Sequence, residues 1–427
     1  MINWLLVPLI FVHPCIASGI YETIEQAQSH AELNQINQLA TEYRHLQLQQ
    51  EENESGPYVT FNSNYSHKTN TYNHTSSNPK KLSAQLTQTL YDPTRKHKIK
   101  TAKLDYAEAR IYQKKHEQQL SFQVLEHCLE LGLKQHQLAL LQKEAELTKS
   151  LFKKTKRSYD LGITSKQDLL VSQANLHDIE TQILETQLHI TKQASNLQRL
   201  SGSPPTHAFN LHLTPDIVSF DEKKVLDTAL KYNFDLLHTT IQIKKSLQQL
   251  KLAQQMHAPT LNLNTDIEQQ FDSNTHPSKK QSYGANVALS IPLYTHGRKS
   301  TEISQRKKIV QTKKTELLDR QKTLSNDIQQ QIQTIALNQE KHKSSKKSEN
   351  AHQLAYLATL ANFELGSASL NDLLTEQHRL YRAKINSKEI EYQQLKAKSL
   401  LLLMMGKFNT TYIKAIDQQF LAHSPEY

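Results

Sequence analysis

The chain changes its hydrophobic period several times, and it does so twice in the same order. From about residue 20 to 55, Ile24, Ala27, Ala31, Leu33 and Leu39 recur at helical spacing on one face. Gly56-Pro57 ends that pattern, and a period of two follows. Val59, Phe61 and Tyr65 alternate with Thr60, Asn62 and Asn64. After a loop rich in Asn, Ser and Thr from Ser66 to Lys80, Leu82, Ala84, Leu86 and Leu90 alternate with Ser83, Gln85, Thr87 and Thr89. This predicts a β-hairpin with one apolar and one polar face. Asp92-Pro93 then opens a long helix, with Pro93 suited to a first helical position. Val124, Leu131, Leu138, Ala145, Phe152 and Tyr159 recur at the spacing of a coiled-coil seam. A helix from Pro93 to Gly162 spans on the order of 100 Å at about 1.5 Å per residue. A shorter return helix carries Leu169, Leu176, Ile183, Ile190 and Leu197 and stops at Gly202, before Pro204-Pro205. A further helix is predicted from Glu222 to Met256.

The same succession then begins again. After Pro259, Leu261, Leu263 and Ile267 alternate with Asn262, Asn264, Asp266 and Glu268; a loop follows from Asp272 to Gln281. Ala285, Val287, Leu289, Ile291 and Leu293 form the next alternating run. A second long helix follows Gly297, and its return helix ends near Gly406. Pro57 and Pro259 lie 202 positions apart, and Gly202 and Gly406 lie 204 apart. A near-constant offset over most of the chain marks an internal duplication. The predicted organisation is a signal peptide at 1–19, a first repeat at 20–202, a linker at 203–219, a second repeat at 220–406 and a C-terminal tail at 407–427.

Each pair of long helices is joined by the same short motif. Tyr159-Asp160-Leu161-Gly162-Ile163-Thr164-Ser165-Lys166-Gln167-Asp168 has its counterpart in Phe363-Glu364-Leu365-Gly366-Ser367-Ala368-Ser369-Leu370-Asn371-Asp372. The glycine is suited to end one helix in a left-handed conformation. Ser-x-x-Asp is suited to open the next as a capping box.

Composition sharpens this picture. The 427 residues include only 9 Gly and 12 Pro, and 37% are hydrophobic, which favours long, narrowly packed helices over thick globular cores. Leu5 to Val12 is a short apolar run followed by Ala17-Ser18-Gly19, the small residues of a signal-peptide cleavage site, although no Lys or Arg precedes it. Cys15 raises the question of a lipid anchor, but His13-Pro14 fits a lipoprotein site poorly. Loss of the leader removes Trp4 and Cys15 and leaves Cys128 as the one thiol, so no intramolecular disulfide is expected. The net charge of +10 comes from lysines spread among glutamines without aromatic interleaving, which reads as solvated helix faces rather than a nucleic-acid surface. Lys153-Lys154-Thr155-Lys156-Arg157 is the densest basic run and has no equivalent in the second repeat. The 21 histidines are scattered, with no metal-binding spacing and no phosphate loop, so neither enzyme activity nor a cofactor is expected.

The hairpins decide between two function classes. Strands of about ten residues with one apolar face fit a membrane β-barrel. Four strands cannot close one, and open edges in lipid leave backbone groups unsatisfied at several kcal/mol each. A membrane role therefore requires several chains to share a barrel. The other class is a periplasmic or secreted coiled-coil scaffold with no pore.

The duplicated plan, the strand endings Leu90-Tyr91-Asp92 and Pro292-Leu293-Tyr294, and the two Leu-Gly turns resemble the TolC-type outer-membrane efflux family over essentially the whole chain after the leader. The resemblance implies a mainly α fold with β. Long antiparallel coiled-coil helices form a periplasmic α-barrel, and each chain of a homotrimer gives four strands to a shared twelve-stranded outer-membrane β-barrel. It implies a passive exit duct for efflux or type I-like secretion, partnered by a periplasmic adaptor (membrane fusion) protein and an inner-membrane pump, with Tyr91 and Tyr294 at the lipid interface. Adaptor contact is implied at Leu161, Gly162 and Ile163, and at Leu365, Gly366 and Ser367. A pore constriction is implied at Asp372, Thr375 and Asp168, with Thr375 standing where the family carries a second aspartate. Asp168 matches a gate aspartate, but Ala368 replaces its arginine partner. A ring of Asp372 carboxylates would attract cations, and mutual repulsion would raise its pKa values.

Overall fold

A computed structural model describes residues 19–30, 32–54, 56–70, 72, 75–77, 80–205, 220–271 and 279–421. Trp4, Cys15, most of the linker and most of the second hairpin loop lie outside the described residues. The helices are α1 (Ile20–His30), α2 (Glu32–Asn53), α3 (Arg95–Asp160), α4 (Lys166–Ser201), α5 (Glu222–Tyr232), α6 (Phe234–Gln255), α7 (Arg298–Glu364), α8 (Leu370–Met404) and α9 (Thr410–Leu421). The strands are β1 (Tyr58–Tyr65), β2 (Lys68–Asn70), β3 (Thr75–Ser77), β4 (Lys80–Tyr91), β5 (Thr260–Phe271) and β6 (Lys279–Ser290). The duplicated order of hairpin, long helix and return helix is present as read. Two compact units cut across it. One comprises residues up to Gln35, Lys114–Asn233 and from Lys322 onward; the other comprises Ile36–Gln113 and Phe234–Gln321.

The second unit carries an antiparallel sheet in the order β1-β4-β5-β6. Its register places apolar residues opposite one another: Val59 faces Leu86, Ala84 faces Ile267, Ile267 faces Tyr283 and Leu263 faces Val287. The other face carries Gln85, Asn264, Asp266 and Glu268, with Asn264 bonded to Asn286 at 3.2 Å and Lys81 paired with Glu268. Gly284 sits opposite Asp266 because a Cβ there would overlap the carboxylate. A register shift between Thr89 and Tyr91 brings Tyr91 opposite Leu261, on the apolar face. Val59, Phe61, Tyr283, Val287 and Leu289 are all exposed. β1 pairs only with β4 and β6 only with β5, so both outer edges are unpaired among the described residues. In the helical part of this unit, Glu108 on α3 accepts from His238 Nε2 at 3.0 Å, Gln242 at 3.1 Å and Lys245 at 3.3 Å on α6. The His238 bond is the main cause that holds Glu108 down to a pKa of about 2.

The structure departs from the sequence pattern at several points. The loop from Ser66 to Lys80 contains the short pair β2 and β3. The strand reading at Ile291 and Leu293 fails: β6 ends at Ser290, two residues before Pro292, which can donate no ladder bond. Pro93 lies in a turn, and α3 begins at Arg95. The single helix from Glu222 to Met256 breaks at Asn233, whose ψ of 127° is extended and whose Nδ2 donates to the Met404 carbonyl at 2.8 Å. That tertiary bond competes with helix continuation.

The first unit is helical. Its main core joins Ile20, Ile24 and Ala27 of α1 to Val124, Leu125, Cys128 and Leu131 of α3, with Leu197, Leu395, Phe408, Ile413 and Ile416. Leu39, which belongs to the second unit, is exposed on α2 in a stripe with Ile36, Tyr43 and Leu46. Phe408 packs edge-on against Phe122 and Tyr412. Cys128 is a buried free thiol, and burial pushes its pKa up. Residues 410–421 thus form a helix that enters this core. No described helix is long and apolar enough to cross a membrane.

Gly366 and Gly406 both have positive φ, but only Gly406 lies against another backbone: a Cβ there would overlap the Tyr232 carbonyl, whereas nothing surrounds Gly366. Gly366→Ala is expected to cost about 1–2 kcal/mol from the left-handed backbone alone. Gly406→Ala should cost roughly 3 kcal/mol or more, because a clash adds to the same strain. Thermal unfolding of the two variants checks the order.

Candidate functional site at the helical turns

The α3–α4 turn is built by two backbone bonds. Gly162 N–H donates to the Tyr159 carbonyl at 2.8 Å and Ile163 N–H to the Ser158 carbonyl at 2.9 Å. This is a Schellman closure, and it needs Gly162 at φ 76°. The α7–α8 turn repeats it through Gly366 to Phe363 at 3.0 Å and Ser367 to Asn362 at 2.9 Å, with φ 75°. Ser165 and Ser369 then cap α4 and α8 by accepting from Asp168 N and Asp372 N. In the second turn Asp372 also accepts from Ser369 N at 3.1 Å, which completes the capping box. These closures leave apolar side chains in the open: Leu161, Ile163 and Leu365 are 68%, 75% and 82% exposed.

Beneath the turns, Leu151 of α3, Leu370, Leu373 and Leu374 of α8, Val171 of α4 and Phe363 of α7 form one cluster. The two turns therefore end helices that are packed together. Asp372 and Thr375 lie exposed on α8, one helical turn apart, on the opposite face from this cluster. In the single chain the Asp372 carboxyl is held below its usual range by the Ser369 hydroxyl and then by the Ser369 N–H. Asp168 accepts from the Ser165 hydroxyl at 2.7 Å. The turns also differ in charge. Lys153, Lys154, Lys156 and Arg157 are all exposed, opposite the buried Leu151 and Thr155. The corresponding α7 positions are Leu357, Ala358, Leu360 and Ala361.

One polar cluster was not legible in the sequence. Gln377 on α8 donates to Thr148 Oγ1 at 2.9 Å and to the Glu144 carbonyl at 3.3 Å, all within the interface. His378 Nδ1 lies 3.4 Å from Glu144 Oε1. Burial raises Glu144 to about 7, while burial and then Arg382 lower His378. Burial thus disfavours the charged form of both groups and weakens the pair as an ion pair. The buried stripe Leu141, Glu144, Thr148, Leu151, Thr155 keeps seam spacing, but polar members hide it from a hydrophobic pattern.

The family pattern described as "Outer membrane efflux protein" matches residues 38–203 and 225–407. The chain belongs to the outer membrane efflux protein family. The efflux protein is thus an outer-membrane protein, with its long helices in the periplasm. It is 20% identical over 293 residues to "Outer membrane protein TolC" of Vibrio cholerae, covering 65% of this chain and 66% of that protein. In structure it is similar to CusC, with a TM-score of 0.81 at 12% identity and 92% of both chains covered. CmeC of Campylobacter jejuni gives 0.80 at 14%, covering 94% of this chain and 89% of CmeC. VceC of Vibrio cholerae gives 0.78 at 14%, covering 91% and 97%. Among the described residues no cluster of His, Cys, Asp or Glu could hold a metal.

The buried acid makes a pH prediction. Folded Glu144 keeps its proton up to about pH 7, whereas an unfolded glutamate loses it near 4.5. The stabilisation is complete below 4.5 and is lost as pH rises through 7, by on the order of 3 kcal/mol. Glu144→Gln should abolish this slope. Unfolding midpoints of both proteins between pH 5 and 8 test it.

Proposed function

We propose that the efflux protein is a homotrimeric exit duct, in which three four-stranded sheets join edge to edge into one twelve-stranded barrel. The observation that carries this is the sheet itself. Its apolar face is exposed, and among the described residues both of its edges are unpaired. Water disfavours the face, and lipid disfavours the edges. Pairing β6 of one chain with β1 of the next satisfies both. The polar face, with Asn264, Asp266 and Glu268, then lines the lumen, and Tyr91 sits in the lipid-interface belt. A soluble scaffold would leave the apolar face without a partner.

The helical turns are the contact surface for a periplasmic adaptor. Leu161 and Ile163 of one turn and Leu365 of the other project because Gly162 and Gly366 close the turns beneath them; Ser367 adds a polar group. The energy for transport comes from an inner-membrane pump that the adaptor couples to this duct. Three-fold assembly brings Asp372, with Thr375 one turn on, to the narrow end of the duct. Asp168 is bonded to the Ser165 hydroxyl and lacks an arginine partner, so the gate is held mainly by the apolar cluster around Leu373. Opening separates the return helices at this cluster.

Two measurements test these assignments. Val287→Lys places a charge on the lipid face at a cost of about 2–4 kcal/mol near the midplane. Membrane-embedded trimer should drop sharply in fractionated outer membranes; wild-type levels would rule out the barrel. Asp372→Asn keeps a capping side chain but removes the charge, so single-channel recordings should show weaker cation selectivity. Unchanged selectivity would leave Asp372 as a helix cap.

A further inference from the structure

The start of α1 carries an arrangement that the exit duct does not use. The Ile20 N–H donates to Asp417 Oδ1 at 2.7 Å, across 397 residues of sequence. The Tyr21 N–H also bonds this carboxylate. Ile20, Ile413 and Ile416 around it are buried in the main helical core. Among the described residues, no ion pair reaches Asp417. Lys414, one turn earlier on α9, lies over the Tyr21 ring at 4.6 Å. Cys128 faces it from α3 as a buried neutral thiol. A carboxylate in such surroundings is short of a cation.

The residue that touches it follows Ala17-Ser18-Gly19, downstream of the apolar run Leu5–Val12. We propose that the chain is cut between Gly19 and Ile20 and that the α-ammonium so formed is the counter-ion of Asp417, tying α1 to α9. The cut is a hydrolysis by a signal peptidase. One water adds across the Gly19–Ile20 amide, the C–N bond breaks, and Gly19 leaves as a carboxylate. The Ile20 nitrogen keeps its electron pair and takes up a proton. Small residues at Ala17 and Gly19 suit such an enzyme.

The cut has costs. It removes the Gly19 carbonyl, which accepts from Thr23 N and Thr23 Oγ1, each at 3.1 Å. A positive charge at a helix N-terminus also opposes the helix dipole. Asp417 offsets both, because a charge-assisted N–H bond is about twice as strong as a neutral one. The Thr23 hydroxyl can turn to accept from the ammonium.

The test uses the full-length protein expressed with its leader and purified from membranes. Intact mass and terminal peptide sequencing should show a chain that begins at Ile20. Reductive methylation with formaldehyde at pH 7 then reads the amine. In the folded wild type it should react at least about tenfold slower than in Asp417→Asn, equivalent to one pKa unit. Asp417→Glu should restore part of the protection. A chain that begins elsewhere, including at a lipidated Cys15, overturns the cut. A start at Ile20 with equal rates in wild type and Asp417→Asn overturns the pairing. If Asp417→Asn does not fold, the comparison is wild type before and after denaturation, and equal rates again overturn it. None of these outcomes depends on trimer formation.

Discussion

The constraint on which this protein depends is that a four-stranded sheet has two edges. Every backbone N–H and C=O removed from water needs a partner. The register of β1, β4, β5 and β6 gathers the apolar side chains on one face, and that face is exposed. The same residues that make the sheet unsuited to water make it suited to lipid. The edges then forbid it from standing alone there. The proposed sharing of a barrel follows from backbone hydrogen bonding rather than from any particular side-chain contact.

The helices answer a different requirement. Their buried stripes hold Glu144, Thr148, Gln377, Ser387 and Glu391 among the leucines. Such seams gain less from burial than an all-apolar core, and their polar members must find partners within the interface. Gln377 does so with Thr148, while burial raises the Glu144 pKa to about 7 and so reduces its charge. A packing surface of this kind holds helices together with limited strength, which suits elements proposed to separate during opening.

The duplication supplies two copies of one turn, and the copies have diverged where they are exposed. The glycine closure and the serine cap are the same to within tenths of an ångström. The outer face of α3 before its turn is basic, whereas the matching face of α7 is neutral and partly apolar. The backbone geometry serves the turn in both copies, while the surfaces offer a partner two chemically distinct contacts.

Element order, the two hairpins, the long helices and the capped turns were legible in the sequence because each rests on local physics. Period distinguishes strand from helix, glycine tolerates positive φ, and serine with aspartate three residues on caps a helix. Tertiary structure decided the rest. Asn233 breaks a helix because Met404 offers its side chain a partner, and nothing near residue 233 in sequence announces that. Tyr91 reaches the apolar face through a shift in pairing with β5 that strict alternation cannot contain. The Glu144 site joins residues 233 positions apart, and the Asp417 contact joins residues 397 apart. Local sequence sets the elements through short-range sterics and hydrogen bonding. Which polar groups end up buried together depends on long-range packing, and only the folded chain shows it.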